Sequence, residues 1–365
     1  MLASISKKMS GVYLTGNGGF DKLKYKTDIP TPQLKADEVL VKIKAAAVNN
    51  TDINTRIGWY SDKVKSGSNA GGSLGFGSQV KQDSTWLGKA MTFPKIQGAD
   101  GCGIIVKTGS QVNSNRLGQR ILIRTLQGLP KTSQGLKCIT FGSECNGTFA
   151  QYTKVKASEA FPIKSNLTDG QLASFPCAYS TALNLIERVG IQSGKTVLIT
   201  GASGGVGLAL VQLAKLKKAF VIVVCGPKKE KQVFQAGADK IISRFDSPFK
   251  KLGEMSIDIV FDTVAGAGLA NLFKILKKGG KYGVIGAIAG PIVKVDIRDW
   301  YLKDLSLFGS TYQPREVFKN LIHLIESGKL KPLVAKTFPL SQIVSAQKAF
   351  LSKKWVGKII LKPGK

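Results

Sequence analysis

One histidine in 365 residues, His323, leaves this chain almost without the side chain that most often moves protons near neutrality. Arginine is scarce too: 8 of the 53 basic residues are arginine and 45 are lysine. A nucleic-acid reader clusters its charge and uses arginine for bidentate base contacts. Here the lysines come as singles and doublets along the whole length, so the formal net charge of +30 reads first as a solvated, lysine-rich surface. Accessory binding to nucleic acid or an anionic membrane is the lesser reading, and the charge favours anionic ligands by steering. The five cysteines (102, 138, 145, 177 and 225) include no C-x-x-C pair, and an odd number is poor material for a disulfide framework. That points to a reducing, cytoplasmic compartment. The N-terminus has two lysines but no apolar segment of the signal-peptide kind. The longest uncharged stretch, "TVLITGASGGVGLALVQLAK", carries Gly201, Gly204, Gly205 and Gly207 in its middle, which argues against a membrane span.

What is present suits a soluble globular protein: 43% hydrophobic residues, 8% aromatics and enough length for two domains. "TVLIT" reads as a buried strand, "GASGG" as a turn and "VGLALVQLAKLKK" as a helix, the first half of a βαβ unit. "FVIVVC" (220–225), "KIIS" (240–243), "IDIVFD" (257–262), "YGVIGA" (282–287) and "LSLFGS" (305–310) read as further strands. Between the third and fourth of these, "LANLFKILKKGG" (269–280) is expected to be a helix that stops at its glycines. Alternation of this kind predicts a doubly wound parallel sheet.

Earlier in the chain, "EVLVKIKAAAVN", "GCGIIVKTGSQV", "QRILIRT" and "GTFAQYTKV" are short β-type runs separated by Gly, Asn and Ser, which predict an antiparallel β domain, a compact barrel. The last 55 residues or so are expected to return to it. The expected division is 1–160 with 310–365, and 161–309. Residues 61–91, rich in Gly and Ser and without period, interrupt the first domain as a lid, a binding loop or a disordered insert.

The turn after "TVLIT" reads Ala202-Ser203-Gly204-Gly205-Val206-Gly207, the dinucleotide fingerprint G-x-G-x-x-G with alanine first. Gly204 would let the backbone approach a pyrophosphate, Gly207 would let helix and strand pack closely, and the helix N-terminus favours the anion. NAD sites place an acid near the end of the second strand. Here the strand runs into Cys225-Gly226-Pro227-Lys228-Lys229, with no acid and two ammonium groups, which favours NADPH.

The pattern resembles the medium-chain dehydrogenase/reductase superfamily, in its zinc-independent quinone oxidoreductase branch. "VNNTDINTRIGWY" (48–60) is similar to that branch's N-x-x-D segment ending in an aromatic, and "FPKIQGADGCGIIVKTGSQV" (93–112) to the superfamily's glycine-rich P-x-x-x-G-x-[ED]-x-x-G stretch. The resemblance covers nearly the whole chain, with an insert longer than in most members. It implies a Rossmann domain for NADP(H) joined to a GroES-like β-barrel catalytic domain. The positions that hold catalytic zinc in relatives carry Asn49, Ala99 and Cys177, and the structural zinc lobe is absent, so no metal is expected.

Chemistry without a metal or a histidine base is hydride transfer from NADPH to an already electrophilic carbon, in a quinone or an enone. The resemblance places Asn49 and Tyr60 near the nicotinamide, Asn49 as an amide donor to the developing oxyanion and Tyr60 as a hydrogen-bond or proton donor. It implies that Thr181 touches the nicotinamide side, and Ile285-Gly286-Ala287, after the fifth strand, should line that end by the carboxyl-end rule. Asp52 and Arg56 read as an ion pair or a fold-stabilising contact, Cys177 as an inert thiol, and His323 as a packed or surface helix residue. An enoyl-thioester reductase of the same fold and an NADPH-binding sensor or nucleic-acid binder with little turnover remain the alternatives. The resemblance also implies a homodimer or homotetramer.

Overall fold

The computed structural model describes residues 5–77, 80–128 and 138–364. The chain forms two compact units. One comprises the chain up to Val64, Gly71–Cys177 and everything from Phe318 on; the other comprises Lys65–Ala70 and Ala178–Val317. The boundary expected at 160/161 therefore falls at 177/178, the return expected at 310 falls at 318, and six residues of the insert belong to the second unit. No helix among the described residues is long and apolar enough to cross a membrane.

In the first unit the strand Glu38–Ala47 is the organising element. Its sequence, EVLVKIKAAA, supplies β-branched residues at Val39, Val41 and Ile43, which turn into the core and are essentially inaccessible. It pairs antiparallel with Asp100–Thr108, with Tyr152–Lys156 and, at its end, with the chain's last strand, Lys358–Lys362. Arg120–Ile123 and Ala160–Pro162 extend the sheet beyond Asp100–Thr108, and Val334–Pro339 joins parallel to the last strand. A smaller sheet of Leu23–Pro30, Lys8–Leu14 and Lys95–Ile96 stands apart in the hydrogen-bonding pattern. Ile105, Ile121, Ile123, Phe141, Phe149 and Leu361 fill the space between the layers. The antiparallel β domain expected from the sequence is present.

The second unit is a six-stranded, all-parallel sheet in the order Lys240–Ser243, Phe220–Cys225, Thr196–Ile199, Ile257–Asp262, Leu276–Val284, Ser306–Gly309. Chain order reverses at Thr196–Ile199, the topological switch point beside which open α/β sheets bind their ligands. The helix Gly205–Leu216 follows that strand with Gly204 as its N-cap. The helix predicted for 269–280 is shorter than expected. It spans Leu269–Ile275, and the next strand begins at once with Leu276. The lysines read as a helix end lie in that strand, where Lys277 reaches Asp258 at 3.1 Å.

The piece Lys65–Ala70 lies against the loop that follows Leu276–Val284. A Cβ on Gly67 would fall 2.4 Å from the carbonyl oxygen of Ile288, so only glycine fits there.

Candidate active site

In the second unit the glycine turn is tightly packed at Gly207 and open at Gly204. A Cβ on Gly207 would lie 2.4 Å from the Gly201 carbonyl oxygen and 2.6 Å from Ala202 Cα, so the helix touches the strand end only because this residue is glycine. Above Gly204 the space is open, its nearest neighbour being the Gly201 oxygen at 3.5 Å. Gly205 and Val206 open the helix that carries free N–H groups toward that space. Ser203 Oγ lies 3.5 Å from the ammonium of Lys229, whereas Lys228 stays exposed.

Beyond the turn, Asp262 ties the strand ends together. Fully buried, it accepts hydrogen bonds from Thr200 Oγ1 (2.5 Å), Tyr282 Oη (2.7 Å) and the N–H groups of Val264 and Ala265 (2.8 and 3.0 Å). The chain then turns through Ile285, whose N–H donates to the Asp262 carbonyl at 3.1 Å. Gly286 packs on the Thr263 carbonyl, and the loop continues through Ala287. Thr181 is half-buried, and its hydroxyl accepts from Gln313 Nε2 at 3.1 Å.

In the first unit a polar cluster stands where the strands Glu38–Ala47, Asp100–Thr108 and Lys358–Lys362 meet. Val48 N–H donates to the Ile359 carbonyl, which brings the neighbouring Lys358 and Asn49 side by side. The Lys358 ammonium bonds to Asn49 Oδ1 and forms a 2.8 Å ion pair with Asp100 Oδ2, both partners almost wholly inaccessible. Asn49 Nδ2 donates to that same Asp100 oxygen (2.8 Å) and to the Ala47 carbonyl (3.2 Å). Asp100 Oδ1 takes the backbone N–H of Cys177 at 2.6 Å. This corrects one expectation: the Asn49 amide has committed both N–H groups and its oxygen to the cluster, so it is no free donor to an oxyanion. Burial, with the Asp100 carboxylate next, pushes the Cys177 thiol far up, and it stays protonated.

Of the two readings of Asp52 and Arg56, the mutual ion pair is absent and the fold-stabilising contact is what each side chain makes. Asp52 lies in the first turn of the helix Asn50–Ile57 and bends back to accept from Asn49 N (2.7 Å) and Ala99 N (3.2 Å). One turn on, Arg56 emerges on another side and donates to the carbonyls of Gly18 and Gly72 (both 2.7 Å) and to Gln347 Oε1 (2.8 Å), with Phe20 beneath its guanidinium at 4.5 Å. Burial lifts the Asp52 carboxyl to about 7, partly offset by the Asn49 N–H and reinforced by Asp100.

A raised folded pKa means that the folded chain binds this proton more tightly than the unfolded one. The stabilisation is full below pH ~4 and is lost as pH climbs through 7. Wild type is therefore expected to lose urea resistance between pH 5 and pH 8 relative to Asp52→Asn, which lacks this titration. Parallel pH profiles for the two proteins would overturn the assignment.

Tyr60 closes the same region. It is half-buried, its ring stacked on Trp86 of the insert (5.4 Å between centroids, 27°) and edge-on to Trp59 (5.6 Å). Burial raises the hydroxyl to about 12 against the opposing pull of Thr51 and Asn54, so it is a neutral donor at physiological pH. Thr51 Oγ1 and Asn54 Oδ1 are buried and approach this hydroxyl. His323 is an exposed residue of the helix Arg315–Glu326.

Residues 35–165 match the family described as alcohol dehydrogenase GroES-like domain, and residues 205–327 the one described as zinc-binding dehydrogenase. A solved structure from Sinorhizobium meliloti 1021, assigned as an alcohol dehydrogenase, is 37% identical. It superimposes with a TM-score of 0.88 over 99% of this chain and 98% of its own. The chain belongs to the medium-chain dehydrogenase/reductase superfamily. Among its superfamily relatives, the chloroplastic NADPH-dependent alkenal/one oxidoreductase of Arabidopsis thaliana is 29% identical over 99% of this chain and 81% of its own. The quinone oxidoreductase of Rattus norvegicus is 26% identical over 99% of both. The chain is thus an oxidoreductase of a superfamily whose members bind a nicotinamide cofactor.

The family description names zinc, so the donor set has to be weighed. Asn49 and Cys177 flank an alanine, Ala99, that offers no donor, and the lysine ammonium held between Asn49 and Asp100 would repel a cation there. Among the described residues no three His, Cys, Asp or Glu side chains converge in a way that would hold a metal ion. These residues do not fit a catalytic zinc.

Sequence reasoning missed Asp100 and Lys358. Asp100 was visible as the acidic position of the glycine-rich stretch but had no assigned role. Lys358, one lysine among 45, offered as its only signal a place at the head of the apolar strand KIILK.

Proposed function

We propose that the chain is a metal-free, NADPH-dependent reductase of quinones and α,β-unsaturated carbonyls. The observation that carries the metal-free part is the buried Lys358–Asp100–Asn49 cluster, in which an ammonium group occupies the surroundings a zinc ion would need. The Rossmann turn is open above Gly204 and fits a pyrophosphate, which Ala202, Ser203, Gly204, Gly205, Val206 and Gly207 would hold from the helix N-terminus. The preference for the phosphorylated cofactor is supported by the lack of an acid at the end of Phe220–Cys225 and by Lys229 beside Ser203, with Lys228 adding positive charge nearby.

When bound, NADPH supplies the hydride. Thr181 and the Ile285-Gly286-Ala287 loop line its nicotinamide end, and the Thr181 hydroxyl is held in place by Gln313. Tyr60 hydrogen-bonds the substrate oxygen as negative charge gathers on it, and its raised pKa keeps the proton available throughout the neutral range. Asn49 positions Lys358 and Asp100 and does not touch the reacting atoms.

A paired fluorescence titration with NADPH and NADH tests the cofactor, and addition of 9,10-phenanthrenequinone or a simple enone, with and without a chelator, tests the chemistry. The expected result is at least about tenfold tighter binding of NADPH and substrate-dependent oxidation that the chelator leaves unchanged. Equal binding of both cofactors would remove the NADPH assignment, and loss of turnover on chelation would remove the metal-free one.

A further inference from the structure

The Gly- and Ser-rich insert has two halves of different make. Lys65–Ala70 belongs to the second unit, whereas Val80 and the residues after it belong to the first. There Val80 is fully inaccessible and fills the space beside Gly58, where a Cβ would lie 2.2 Å from Val80 Cγ2. Gly58 ends the helix Asn50–Ile57 in the left-handed region at φ 78°, so glycine alone meets both demands. Asp83 Oδ2 accepts the Asp62 N–H at 3.2 Å. Ser84 and Thr85 are buried, and Thr85 closes a turn on Lys89. Its N–H donates to the Lys89 carbonyl (3.1 Å), and its hydroxyl accepts the Lys89 N–H (3.2 Å). Leu87 N–H reaches Glu144 Oε1 at 3.4 Å, while the other oxygen of that carboxylate takes the Thr140 N–H at 2.8 Å.

Trp86 stands between Thr85 and Leu87, so both of its neighbours in the chain are tied down. Its half-buried indole is presented to Tyr60 from a fixed backbone. The two rings stack at 5.4 Å and 27°, and Trp59 meets the phenol edge-on at 5.6 Å and 68°. A contact on the face and another at the edge hold the plane of a ring that has only two side-chain torsions to fix. At the far end of the ring, Thr51 and Asn54 of the helix Asn50–Ile57 approach the hydroxyl. The helix receives the hydroxyl, and the insert sets the ring that carries it.

We propose that Trp86 is a positioning residue, holding the Tyr60 phenol where its hydroxyl meets the substrate oxygen, and that through it the insert governs reduction of enones more than of quinones. The inference rests on the reading of Tyr60 as the donor to that oxygen and adds the residue that aims it. A donor works only within about 0.5 Å and 10–20° of its productive geometry, and a misplacement of about 1 Å costs up to roughly 10²-fold. A phenol freed on one face still has Trp59 at its edge, so the loss falls short of that caused by removing the hydroxyl. The loss is greater for an enone, whose enolate oxygen depends on the donor, than for a quinone, whose product oxyanion is stabilised by its own ring. The indole offers no proton to the reaction and acts through Tyr60.

Steady-state kinetics of the full chain with 2-cyclohexen-1-one and with 9,10-phenanthrenequinone test this, with Trp86 changed both alone and together with Tyr60→Phe. Trp86→Leu is expected to lower enone kcat about 5–20-fold with KM altered by less than about twofold, and to cost clearly less with the quinone. Trp86→Phe, which keeps a ring to stack, is expected to recover most of the loss. Trp86→Met, bulkier and also without a ring, is expected to behave as Trp86→Leu does. In the Tyr60→Phe background Trp86→Leu should cost nothing further, because the group it aims is gone. An equal loss with both substrates, or the same loss with and without the Tyr60 hydroxyl, would overturn the inference and leave Tyr60 as the donor. If Tyr60→Phe alone leaves enone turnover at the wild-type level, the reading of Tyr60 falls and this inference with it.

Discussion

Tyr60→Phe is expected to lower enone turnover by about 10²-fold or more, because it removes the proton donor proposed for the substrate oxygen and little else. Phenylalanine keeps the ring that stacks on Trp86 at 5.4 Å and abuts Trp59, so the wall of the site persists. Binding of the nicotinamide cofactor, proposed above for the Rossmann turn, should be unchanged. The loss should be smaller with a quinone than with an enone, since a hydroquinone oxyanion carries its charge more easily and leans less on a donor. In wild type the step that uses this proton should be flat in pH through the neutral range, because the hydroxyl holds its proton to about 12. Turnover is followed as the loss of nicotinamide absorbance. A variant that matches wild type with both substrate classes would show that the proton comes from elsewhere.

The second large effect is on stability. Lys358→Met keeps the length and bulk of the side chain but removes its charge, stranding the Asp100 carboxylate in a place with no access to water. Breaking a buried ion pair from one side costs about 3–5 kcal/mol, far more than the pair contributes when both partners are present. The expected observation is a marked drop in the urea midpoint of Lys358→Met, partly restored by adding Asp100→Asn. Asparagine can still accept the Cys177 N–H through its side-chain oxygen, and it carries no charge to strand. If the double variant is no better than the single one, the ion pair is not what the lysine provides.

The contrast between these residues and the nucleotide turn shows where sequence reasoning reaches its limit. Three buried strands, FVIVVC, KIIS and IDIVFD, fall within their predicted bounds residue for residue, because a strand covered on both faces must be a continuous apolar run. The glycine turn is equally legible, since its chemistry depends on consecutive residues. Failure begins where local pattern and tertiary context compete. LKKGG (276–280) reads as a helix end but opens a strand, with Lys277 answered by Asp258 from the neighbouring strand. For Asp52 and Arg56 the sequence left an ion pair and a fold-stabilising contact both open, and only the structure decides, because the helix start claims the aspartate for its own N–H groups. Lys358 was invisible for a different reason. It acquires its place only through the register of strands far apart in the chain, which no count of local spacing contains.

The short run Lys65–Ala70 has a consequence for how this protein is made. Gly67 packs on the carbonyl of Ile288, and the two positions are separated by 288 − 67 = 221 residues. On a ribosome adding about 5–20 residues per second, the run emerges roughly 10–40 s before the backbone it belongs with exists. During that interval it can settle on nothing of its own. Its sequence, KSGSNA, has no large apolar side chain to bury and none to attract another nascent chain, and the Gly- and Ser-rich residues around it make it a tolerant slack loop. The composition that makes the insert hard to read as structure is what lets it wait.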